Sequence, residues 1–114
     1  MFKHYLTHSF VQNFHRACIA FEIGPTATRD RLNRSAALLW THFDRSLRAS
    51  DRKEIAKDLC VALICLRDCR EILDESSLKD PEIERLYPVV HGRIEKLLEE
   101  AADLAERGQL RMII

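Results

Sequence analysis

Glycine and proline are scarce in this chain, three of each among 114 residues. That scarcity excludes the many tight turns an all-β domain requires. Net charge is lacking as well: 18 Lys and Arg balance 18 Asp and Glu. A global basic character of the kind that marks many nucleic-acid binders is therefore missing. No apolar run approaches the roughly 18 residues that cross a bilayer, so no membrane partner is expected. Residues 1–21 carry polar and His residues throughout, where a secretory signal would hold an apolar core. The chain is accordingly expected to act in the cytoplasm. Catalytic signatures are missing too, with no nucleophile elbow, P-loop, dinucleotide fingerprint or zincin motif. Adjacent carboxylates such as Asp74 and Glu75, or Glu99 and Glu100, diverge on a helix and form no acid–base pair. No catalytic residue, cofactor or small-molecule substrate is expected, and the chain does not read as an enzyme.

What the chain does contain is 46% apolar and 32% charged residues, a mixture suited to helices with one apolar face. Its length suits a single domain that buries roughly two thirds of its unfolded surface. The first helix is predicted over Phe2 to Glu22, with Leu6, Phe10, Phe14, Ala17 and Phe21 on one face, and Gly24-Pro25 ends it. Thr26 or Thr28 is expected to cap the second, whose stripe is Leu32, Ala36, Leu39 and Phe43. Asp51, with Glu54 three residues on, is expected to cap the third. There Ile55, Leu59, Ala62, Leu66, Cys69 and Leu73 alternate steps of four and three. Asp80-Pro81 opens the fourth, which carries Ile83, Leu86, Val90, Ile94, Leu97, Ala101 and Leu104 and should stop at Gly108. Pro88 is expected to kink it, since proline removes a backbone donor and crowds the carbonyl of Glu84. Short connections make successive helices antiparallel neighbours. The expected fold is all-α, an antiparallel up-down-up-down four-helix bundle over 1–108 with a C-terminal tail at 109–114.

One stretch exceeds what such a bundle needs. Residues 59–66 are apolar all round the helix, and Ile64 points opposite the core stripe with Cys60 and Val61 beside it. Leu38 is similarly off the stripe of the second helix. A helix apolar on every side is buried on every side. These four residues are therefore the expected interface between copies of the chain.

Metal and redox chemistry find little support. His4, His8 and His15 share an arc of the first helix away from its apolar stripe, but no carboxylate or thiol at matching spacing completes a metal site. Cys65 and Cys69, four apart, match neither a redox CxxC nor a zinc knuckle and are read as small apolar packing residues. The four cysteines are expected to be free thiols. No metal site is expected.

Charge is distributed unevenly. Residues 29–57 hold eight Lys/Arg against four Asp/Glu, whereas residues 71–106 hold eleven acidic against four basic. Arg45, Arg48, Arg52 and Lys53 surround one end of the expected bundle, and Arg-rich surfaces suit phosphate backbones. Asp44, Asp51 and Glu54 are interspersed among them.

With the helices assigned, three segments show a resemblance. Arg-Asp-Arg-Leu-Asn-Arg-Ser-Ala-Ala (29–37), Ser-Asp-Arg-Lys-Glu-Ile-Ala-Lys-Asp-Leu-Cys-Val-Ala-Leu (50–63) and Arg-Asp-Cys-Arg-Glu-Ile-Leu-Asp (67–74) resemble the four-helix bundle proteins of the 23S ribosomal RNA intervening-sequence type. The likeness covers under half of the chain strongly. Where members commonly read Asn-Ile-Ala-Glu-Gly, this chain has Thr41-His42-Phe43-Asp44-Arg45. The resemblance implies a homopentameric ring without catalytic residues. It also implies kinship in fold with the accessory variability determinant proteins of diversity-generating retroelements, which partner reverse transcriptase and RNA. The function so expected is a homo-oligomeric scaffold or adaptor for RNA or an RNA-processing protein. The alternative is a protein-only adaptor docking its partner on the apolar back of the third helix.

Overall fold

The computed structural model describes the backbone over residues 2–22 and 24–113, and side chains over 6–22 and 24–102. Among the described residues there are four helices and no strand: α1 (Phe2–Ala20), α2 (Thr26–Arg48), α3 (Arg52–Ser76) and α4 (Pro81–Ile113). None is long and apolar enough to cross a membrane. Each helix packs against two others, with α1 and α3 both flanked by α2 and α4. The result is an elongated bundle of 56 × 25 × 19 Å.

The helix starts follow from local chemistry. Asp51 Oδ1 accepts from the Lys53 amide at 3.1 Å, which satisfies one of the donors a helix start leaves open. Asp80 Oδ1 accepts from the amides of Glu82 and Ile83 at 2.8 and 3.1 Å, with Pro81 at the first helical position, where its missing N–H costs nothing. The expected threonine cap of α2 is corrected. Pro25 occupies the cap position without a side-chain hydrogen bond, and Thr26 is already helical. α3 ends at Ser77, which takes the left-handed conformation (φ 62°) and donates its amide to the Asp74 carbonyl. α4 continues through Pro88 and through Gly108 to Ile113, past its expected stop. A glycine inside a helix costs about 1 kcal/mol relative to alanine and does not by itself end one. Leu104 lies outside the described side chains.

The core lies where three of the four stripes put it. Leu32, Ala36, Leu39 and Phe43 of α2 are fully buried, as are Ala62, Leu66 and Cys69 of α3 and Ile83, Leu86, Val90 and Ile94 of α4. α3 buries a broader arc than its heptad stripe, because Leu63, Cys65 and Ile72 are buried as well. α1 departs from expectation. Its buried residues are Thr7, Val11, Phe14 and Cys18, while Leu6 is 52% exposed. The inward face is thus rotated by roughly 70° from the predicted one, at 100° per residue. Phe10, Ala17 and Phe21 close the flanks: they are partly buried against the core, and the Arg93 guanidinium covers the Phe10 ring at 4.8 Å. Large aromatics can seal the seams between helices as well as the centre, and periodicity alone does not separate the two.

Candidate functional site

Three surfaces bear on function, and the first is apolar. Leu38 directly precedes the buried Leu39, so it points about 100° away from that core residue. It is 43% exposed, Ile64 of α3 is 52% exposed, and Cys60 is exposed one turn before Ile64. Val61 differs: it is half-buried and packs against the core, so it borders the patch and does not stand out from it. Two polar contacts fix how α2 and α3 lie together. Arg31 reaches Glu75 at 3.2 Å and His42 reaches Asp58 at 3.2 Å, so positions rise along α2 as they fall along α3. Leu38, between Arg31 and His42, is thereby level with the stretch around Ile64. The structure brings these expected interface residues into one neighbourhood.

The second surface is the basic end. Arg45 and Arg48 occupy the last turn of α2, Arg52 and Lys53 the first turn of α3, and all four are exposed. The short link Ala49–Asp51 brings the two turns together. Acidic groups temper this cluster. Arg48 pairs with Asp44 at 3.3 Å, and the shallow depression of about 420 Å³ beside Arg45 and Arg48 is also lined by Asp51, Glu54 and Asp58. The helix dipoles oppose one another here, since α2 presents its negative end and α3 its positive end. Arg52 also lines a cleft of about 340 Å³ between the α2–α3 link and α4, where Ile55, Leu59 and Leu97 form an apolar floor.

The third surface is the seam between α1 and α2. His8 and His15 are half-buried against Trp40, at ring distances of 4.8 Å edge-on and 6.2 Å stacked. The sequence reading of these histidines as a face turned to solvent is corrected here. Once α1 is rotated, α2 covers part of that face. Burial, reinforced by the Arg16 guanidinium, holds the His15 imidazole below the ordinary histidine range. Its Nε2 is buried without a hydrogen-bond partner among the described residues. The His4 side chain lies outside the described residues. Among those described, no group of three or more His, Cys, Asp or Glu could hold a metal ion.

The thiols are free, and three of them are buried. Cys69 of α3 shares a hydrogen bond with Cys18 of α1 through the middle of the bundle. That bond, followed by burial, holds the Cys69 thiol well above the ordinary range. Burial pushes the Cys65 thiol up as well, with the Asp68 carboxylate adding to it. A thiol kept protonated is a poor nucleophile and a poor metal ligand, so these side chains act as small packing groups.

Two polar arrangements were not anticipated from sequence. Asp58 is buried within the apolar register of α3 and meets His42 of α2. Arg70 forms a two-pronged bond to Glu84 of α4 at 2.9 and 3.0 Å, bonds Asp74 as well, and lies 5.3 Å from the centre of the Tyr87 ring. The only hint of the first was a carboxylate interrupting an apolar helical stretch, which is unusual unless paired. Comparison of the chain with family models, with curated proteins and with solved structures gave no match in any of the three.

Proposed function

We propose that this chain is a non-enzymatic, self-associating antiparallel four-helix bundle of the cytoplasm, acting as a scaffold or adaptor whose basic end engages RNA or an RNA-processing protein. The observation that carries this reading is the exposed apolar patch of Leu38, Cys60 and Ile64 on the side of α2 and α3 away from α1 and α4. Apolar side chains grouped in this way gain by leaving water, and a second copy is the partner always at hand. The resemblance to the 23S ribosomal RNA intervening-sequence proteins supports five copies in a ring, and the exposed cations at the α2–α3 link support a phosphate-bearing partner. Ile64→Asp tests the reading. Burying that carboxylate without a partner costs several kcal/mol, so the variant should keep its helicity and sediment as a smaller species. A wild-type chain that is monomeric at micromolar concentration would refute self-association.

A second reading is favoured by the Arg48–Asp44 pair and by the acids among the cations. On it, the chain is a protein-only adaptor and its partner docks on the apolar back of α3. Salt separates the two. Phosphate binding weakens steeply as salt rises, whereas apolar docking changes little.

A further inference from the structure

The outward stripe of α3 carries a charge gradient centred on Ile64. Lys53 and Lys57 begin it, Cys60 and Ile64 form its middle, and Asp68, Glu71 and Glu75 end it. All seven are exposed, and at 100° per residue all lie within roughly 40° of the Ile64 direction. The stripe is self-complementary in reverse. Lys53 and Glu75 stand eleven residues either side of Ile64, Lys57 and Glu71 seven, and Cys60 and Asp68 four.

From this we infer that α3 pairs with α3 of a second copy, antiparallel and about a two-fold axis through Ile64. Ile64 then meets Ile64 at the centre, and each end sets lysines against carboxylates. A parallel pairing would set lysine against lysine and carboxylate against carboxylate, which is repulsive. One stripe that matches its own reverse marks an isologous contact and hence a two-fold dimer. This departs from the five-membered ring that the resemblance supports, since a ring joins two different faces. The groups are free for the role. Neither Lys57 nor Glu71 forms an ion pair among the described residues, and Glu75, though bonded to Arg31, keeps more than half its side chain exposed. Leu38 borders the apolar middle from the α2 side. Because Ile64 points directly away from the core, α2 of each copy is swept back from the contact and its cations stay apart.

This inference rests on the proposed self-association and is tested separately from it by charge reversal. The Lys57→Glu substitution sets a carboxylate against the Glu71 side chain of the other copy. Conversely, Glu71→Lys sets an ammonium group against the Lys57 side chain. Each contact occurs twice, so each variant should raise the dissociation constant about tenfold in sedimentation equilibrium at low salt. An equimolar mixture of the two variants should recover much of the wild-type affinity, because in each mixed pair both cross-contacts again set a lysine against a carboxylate. The double variant, Lys57→Glu with Glu71→Lys, provides the decisive arm: both contacts are attractive again and wild-type affinity should return. Combining Lys57→Glu with Glu99→Lys, which alters an exposed α4 residue off the stripe, should not restore it. Recovery in the mixture and in the first double variant, without recovery in the second, supports the two-fold pairing. An oligomer indifferent to both reversals leaves self-association standing and overturns this contact. A wild-type chain that is monomeric at micromolar concentration overturns both.

Discussion

Trp40 is the only tryptophan of the chain, and two histidines of α1 rest against it. The environment of His15 has a consequence that depends on pH. Burial first, and then Arg16, make its protonation harder in the folded chain than in the unfolded one. Its folded pKa is depressed, so this group leaves stability unchanged at pH values above the ordinary histidine range. As pH falls through that range the unfolded chain takes up the proton first and stability declines, levelling off below the folded value. A His15 ring resonance titrating below the ordinary range, identified by its loss in His15→Asn, is the expected NMR result; a midpoint at or above that range would contradict it. None of this was legible from residue type and spacing, which put the histidines on a polar arc. What decides their environment is the bulk of Trp40, and that belongs to another helix.

Among the elements, α3 was the most legible. Its cap at Asp51 and its stripe from Leu59 to Leu73 stand as the periodicity predicts, because the steps of four and three never break and no competing face is equally apolar. α1 was the least legible, since phenylalanine, leucine and isoleucine occur on several of its sides and any of them can be a seam instead of the centre. The end of α3 shows a residual strain that sequence did not reveal. Ser77 holds φ at 62°, a region in which a side chain costs roughly 1–2 kcal/mol. It is exposed and its hydroxyl makes no bond among the described residues. Ser77→Gly should therefore raise unfolding free energy by about 0.5–1 kcal/mol, after the extra freedom of glycine in the unfolded chain is subtracted. The urea midpoint should move upward with an unchanged slope; a downward shift would show that the serine hydroxyl contributes more than the strain costs.

Over the whole molecule the charges are sorted, with the basic excess in residues 29–57 and the acidic excess in 71–106. Three ion pairs consume part of this asymmetry, joining Arg31 to Glu75 and Arg70 to both Asp74 and Glu84. Arg45, Arg52 and Lys53 form no ion pair among the described residues, and Arg48 holds Asp44 at the surface. If this end engages RNA, affinity should fall linearly with salt on logarithmic axes, with a slope set by the phosphates contacted. Arg48→Glu with Arg52→Glu should then flatten the slope by about two contacts and leave the helical content unchanged. Identical salt slopes in wild type and variant would remove this end from any RNA site. The acidic α4 works against such binding by lowering the potential around the whole molecule.

Sequence by itself determined the number of helices, three of the four core faces, and the two aspartate caps. Each is a matter of local spacing or of a side chain reaching its own backbone a few residues away. It also marked Leu38 and Ile64 as surplus to the core, because both depart from stripes that are otherwise unbroken, whereas Val61, expected beside them, packs against the core. Tertiary structure alone decided the rotation of α1, the meeting of Cys18 with Cys69 and the pairing of Asp58 with His42. Each of these joins groups far apart in the chain, and their positions depend on how side chains from several helices fill one shared volume.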